Sequence, residues 1–285
     1  MPVYGNPIVP DLPVPADMLV REPETPAVFG ETAIQRKYAV KTEAGVARKI
    51  SAPFYTDSGS LLVIPATGII KVKIEDAVYD KNPQTVTDVE IDFENSRVHF
   101  DLPVKTQNNP GVYTASLGLF QTVDAAYPSH IYNFYVYNEP SSWVTNETCG
   151  LPTIAEVRMS LRDSSPVENE IFGDHVFGIE EIADAAVRTV LLWNETPPPI
   201  LHKNTQEFRY KTIWLTGIHL FLFEIFIEWL RKNRLPYSAG GVQTDELNKL
   251  PDYLQSFQLK YQELRKNITA WKVIANTSRG FARLI

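Results

Sequence analysis

Glu224 and Glu228 stand one helical turn apart in the stretch TIWLTGIHLFLFEIFIEWL, so their carboxylates would line one face of a helix. Glutamates on facing helices can hold a pair of metal ions, but such sites add a His three residues after a Glu, and none follows here. Partnership with Arg231, or with an arginine of a neighbouring copy, is the better reading of the pair. The five histidines, at positions 99, 130, 175, 202 and 219, are scattered, and His219 reads as a satisfied core or interface residue. Residues 57–60, Asp-Ser-Gly-Ser, read as a turn, and no nucleophile elbow, phosphate loop or dinucleotide fingerprint occurs. Cys149 is the single cysteine, which excludes an intrachain disulfide and a zinc knuckle and fits a reducing compartment. The expectation is a protein that is not an enzyme and carries no metal or cofactor.

The element holding the two glutamates is the most apolar of the chain. Of the 19 residues from Thr212 to Leu230 only Thr212, Thr216, Gly217, His219, Glu224 and Glu228 are not large and apolar. A helix apolar on all sides is central in a bundle, in lipid, or between subunits. Its length suffices for a bilayer, but a carboxylate at bilayer depth costs about 2.5–3.5 kcal/mol. Burial between copies would make Trp214, Ile218, Phe221, Glu224, Ile225, Glu228 and Trp229 the inter-subunit residues. The aromatic residues Trp193, Trp214, Phe221 and Trp229 are expected in a core before a cofactor site.

At 285 residues and 44% hydrophobic content the chain can build a sizeable core, and two domains are expected. Net charge is −7, and the acid is uneven: residues 1–150 carry 11 Lys and Arg against 18 Asp and Glu, residues 151–285 carry 16 of each. That distribution offers no clustered positive surface for sequence-specific nucleic-acid binding. Residues 1–32 read as an extended arm, since seven prolines before position 30 exclude a helix, and its apolar residues suit a strap over a neighbouring subunit. No secretory signal is visible, so the Asn-x-Ser/Thr patterns at Asn146, Asn267 and Asn276 are read as coincidental. Residues 33–143 read as a β-sandwich, with strands expected at 61–64, 69–74, 86–91, 97–102, 112–120 and 130–136 and turns at 93–97 and 108–111. A polar linker at 144–152 leads to a helical domain at 153–275, with helices expected from Thr153, over 178–194, through the apolar stretch and over 247–271. Pro236, Tyr237, Gly240 and Gly241 form a tight loop suited to a close contact, and 276–285 reads as a tail. The fold class is therefore α+β and multidomain: arm, immunoglobulin-like β-sandwich, helical bundle.

The stretch DLPVKTQNNPGVYTASLGLF resembles the immunoglobulin-like modules of phage baseplate and tail proteins. In the second half three features occur in order: TIAEVRMSLRDSSP, then FGIEEIADAAVRTVLLWNETPPP, then the apolar helix followed by GGVQTDELNKLPDYLQSFQLKYQEL. Together they resemble the head-to-tail connector (adaptor) proteins of tailed bacteriophages. Gly178 departs from the Ser or Thr usual there in the family. The resemblance implies a structural virion protein of the neck, assembled in the host cytoplasm as a ring, commonly of twelve copies, that joins the portal protein to a tail-proximal ring or tail tube. Arg279, Phe281, Arg283, Leu284 and Ile285 would be its portal-docking tail, and DNA would pass through its lumen without a sequence-specific contact. The β-sandwich would face outward to the capsid vertex or collar fibres. Two other readings stay open: a baseplate or collar protein whose β-sandwich binds a fibre or receptor, and a membrane-anchored surface protein.

Overall fold

Short runs rich in β-branched and aromatic residues become strands where every second side chain can reach a common core. The computed structural model describes residues 38–56, 60–78, 83–122, 125–141, 149–163, 175–232, 238–239, 242–243 and 249–282. Its first elements are β1 (Ala39–Glu43), β2 (Lys49–Pro53), β3 (Ile69–Asp76), β4 (Gln84–Val86), β5 (Val89–Asp92), β6 (Arg97–Asp101), the short helix α1 (Val104–Asn108), β7 (Gly111–Phe120) and β8 (His130–Glu139). They form a five-stranded sheet in the order β1-β8-β7-β3-β4 and a three-stranded sheet in the order β2-β6-β5. Register pairs Val72 with Leu117 and Ile74 with Ala115 in one sheet, and Ile50 with Phe100 and Ala52 with Val98 in the other. These residues, with Phe134 and Val136 of β8, make a single core shared by both sheets.

Some strands depart from the sequence expectation. Residues 61–64 form no strand, Leu61 making only an isolated bridge to Tyr55. The run at 86–91 is divided, because the chain passes there from the larger sheet to the smaller one. The turn at 93–97 is a hairpin turn, held by Asp92, whose carboxylate accepts from the backbone N–H groups of Glu94 and Asn95. The 108–111 segment is no hairpin: it follows α1 and carries the chain from β6 to β7 in the opposite sheet. β1 pairs in parallel with β8, Ala39 opposite Tyr135, a long-range pairing that local turn signals do not announce.

The remaining elements are α2 (Ile154–Leu161), α3 (Ile179–Glu195), α4 (Lys211–Lys232), β9 (Ser238–Ala239), β10 (Val242–Gln243) and α5 (Leu250–Ala282), so the described chain is a mixed α+β fold. α2 begins with the capping box expected from Thr153 and Glu156, each side chain bonded to the other residue's backbone N–H. α3 starts at Gly178, which has no side chain to cap with, and Glu181 alone reaches back to the Gly178 N–H at 2.9 Å. α5 continues beyond Trp271 to Ala282 and so takes in residues read from sequence as tail.

Residues 35–285 form one compact unit; the whole expected arm, residues 1–32, lies outside the described residues. Within the larger unit the helices pack directly on the five-stranded sheet. Val112 and Tyr137, on the face away from the smaller sheet, share a core with α2, α3 and α4. Polar contacts pin the layers: Tyr137 donates to the Pro152 carbonyl at 2.7 Å, and the buried Asp76 accepts from the Thr205 backbone N–H at 3.1 Å and hydroxyl at 2.6 Å. Of the expected linker, residues 144–148 lie outside the described residues, while Gly150 donates to the Phe208 carbonyl at 3.0 Å.

Candidate interaction surface

α4 lies between α3 and α5 and also touches α2. Trp214 and Ile218 are fully buried and Phe221 nearly so, all within the chain's own core. Trp214 is held further by its indole N–H, which donates to the Phe208 carbonyl at 2.9 Å, and by edge contacts with the Phe208 ring. The first half of α4 thus needs no neighbouring copy to cover it, and the mutual burial expected from sequence is replaced there by α3 and α5. Ile225 is half-buried, and Trp229 is 45% exposed beside Phe226. Among the described residues α4 is the one helix long and apolar enough to cross a membrane, with mean hydropathy 1.6.

The two carboxylates find separate partners. Glu224 pairs with Arg188 of α3, while Glu228 pairs with Arg231 at 3.2 Å. Nothing in the sequence singles out Arg188, and only the packing of α3 on α4 brings it to Glu224. Its guanidinium also lies 4.4 Å from the centre of the Phe221 ring. The α3–α4 approach is close because residue 217 is glycine: a Cβ there would stand 2.4 Å from the Thr189 methyl.

Between α3, α4 and α5 lies a groove of about 360 Å³. Phe221 and Glu224 of α4 line it together with Leu191 and Glu195 of α3 and Phe257 and Tyr261 of α5. Beyond the groove α5 is clasped to the end of α3, where the buried Lys272 ammonium donates to the carbonyls of Thr196 at 2.6 Å and Pro198 at 3.2 Å. Burial lowers the Lys272 pKa, and the negative end of the α3 dipole stands against that shift. Nothing in the sequence separated Lys272 from the exposed lysines of α5, since its burial depends on the loop after α3.

Compared with protein-family models and with curated proteins, the chain matches none. Its chemistry-bearing residues therefore have to be judged on geometry.

His219 meets Ser160 of α2, Nε2 to Oγ 2.5 Å, with the Ser160 hydroxyl also 2.7 Å from the Val157 carbonyl. Burial, then the nearby Lys260 charge, lowers the His219 pKa, which favours the neutral ring. This contact ties α2 to α4, as a satisfied histidine does. Burial pushes the Cys149 thiol up to about 11, leaving it a poor nucleophile at neutral pH. Among the described residues no group of three His, Cys, Asp or Glu could hold a metal ion. Of the expected loop contact, Pro236, Tyr237, Gly240 and Gly241 lie outside the described residues; the strands beside them, β9 and β10, pair antiparallel. Of the expected docking tail, Arg283, Leu284 and Ile285 lie outside the described residues, and Arg279 and Phe281 are described as α5 backbone alone.

Proposed function

We propose that this chain is a structural protein of a tailed-phage virion, a head-to-tail connector that forms a ring in the neck and joins the portal to the tail. The observation that carries this reading is the surface of α5. Leu254, Leu259, Trp271, Val273 and Ile274 are all exposed along one 33-residue helix, more large apolar surface than an isolated helix face needs. In a ring, neighbouring copies and the portal would cover it. The order of the helices, with a capped first helix, an acidic start to the second, a central apolar helix and a long last one, supports the same reading through the resemblance described above. The β layer is proposed to be an immunoglobulin-like outer domain, and the C-terminal residues 276–285 the part that docks to the portal.

The test is the mass of the purified chain without detergent, alone and with its cognate portal. A stoichiometric complex with the portal, lost on deletion of residues 276–285, is the expected result; solubility only in detergent, or a trimer indifferent to portal, overturns the proposal.

A second reading, a baseplate or collar protein, draws on Val63, Tyr127 and Ile131, exposed side chains in or beside loops of the β layer. It predicts that substitutions at Val63 and Tyr127 abolish fibre or receptor binding and leave the portal complex intact.

A further inference from the structure

The groove between α3 and α5 and the outer face of α5 are different surfaces of the same chain, and their charges complement one another. Phe257 and Tyr261 line the groove, and Leu259, two residues from each, points about 200° away from them round the helix. Leu259 is 60% exposed and Val273 50% exposed. Lys266 lies midway between them, seven residues from each, so the three form one stripe along the outer side of α5. The stripe has an apolar side chain at either end and the Lys266 ammonium at its centre, flanked on one side by the exposed Glu263 carboxylate, one turn from both Leu259 and Lys266. The groove is the inverse of this, with Leu191, Phe221, Phe257 and Tyr261 as apolar walls, and Glu195 at its rim beside the Arg188–Glu224 pair. Neither Glu195 nor Lys266 is in an ion pair among the described residues, and both are exposed.

We propose that the groove of one copy receives the outer stripe of α5 from a second copy, with Lys266 of the incoming helix meeting Glu195. This deepens the ring reading and rests on it. Because stripe and groove are distinct patches, the contact is heterologous: each copy that uses its groove leaves its own stripe free for the next, so repetition gives a closed ring or an open filament. A self-complementary patch would stop at a dimer.

The experiment uses two single variants of the full chain, E195C and K266C, and a short bis-maleimide crosslinker. Cys149 is half-buried and its thiol held protonated, so the parent chain is the blank. The expected result is a crosslinked dimer only when the two variants are mixed, none from either alone, and a ladder of higher oligomers from the double variant. The charge-reversed K266E should lower the oligomeric fraction about tenfold, and adding E195K should restore it. Crosslinking within a single variant, or no dimer in the mixture while rings or portal complexes form at the parent's mass, overturns this contact and leaves the ring reading standing. A chain monomeric at its highest attainable concentration and with portal overturns both.

Discussion

Gly217→Ala tests the packing on which the groove depends. An added Cβ would lie 2.4 Å from Thr189 Cγ2, 2.5 Å from Thr189 Oγ1 and 2.9 Å from Thr189 Cβ, where ordinary contact needs more than about 3.4 Å. Thr189 is fully buried, and its hydroxyl already bonds the Ala185 carbonyl, so a change of rotamer would break that bond inside a packed core. The helices must therefore part by roughly 1 Å, an overpacking cost of about 1–3 kcal/mol that outweighs the ~1 kcal/mol gained from replacing a mid-helix glycine. Net destabilisation of up to about 2 kcal/mol is expected, read as a lower denaturation midpoint at unchanged slope. Thr189→Ala removes the two nearest atoms, so in the double variant the two costs should fall short of their sum by about 1 kcal/mol or more. A Gly217→Ala protein more stable than the parent, or costs that simply add, refutes the close approach of α3 and α4.

Other expectations follow from the polar contacts. Asp76→Ala should cost about 2–4 kcal/mol in the same denaturation assay, since it strips the acceptor from the Thr205 N–H and hydroxyl and from the Val78 N–H. Burial pushes the phenols of Tyr132 and Tyr135 from the ordinary 10.0 up to about 12, with Asp184 adding to the shift at Tyr135. Folded-state values above the unfolded ones mean stability fully present below pH 10 and lost as pH rises toward 12; Tyr135→Phe should flatten that slope in alkaline denaturation. Cys149 should resist iodoacetamide in the native protein at neutral pH and react once denaturant is added.

The elements that were legible in sequence are those whose signal is local. Thr153 with Glu156 marks the start of α2, and the alternation in β7, the apolar face of α3 and the all-apolar run of α4 give those elements within a few residues. β1 and β2 were not legible, because KTE and KIS have no alternation strong enough to stand out and owe their form to pairing with β8 and β6. The apolar surround of α4 was read as an interface because sequence shows that a helix must be covered and not by what. α3 and α5 cover half of it, and they do so through residues such as Gly217 and Lys272 whose roles depend on neighbours 28 and 76 positions away.

The parallel pairing of β1 with β8 also fixes an order of events in synthesis. Of the described strands β1 is made first, and its one neighbour in the sheet among the described residues is β8, with Tyr135 opposite Ala39, so 96 residues must follow before that pairing can form. At about 5–20 residues per second that is roughly 5–20 s during which β1 waits for its partner strand. α3 packs on β1 and β8 together, so its docking waits on the same event, and the β layer serves as the template on which the helical half is laid down.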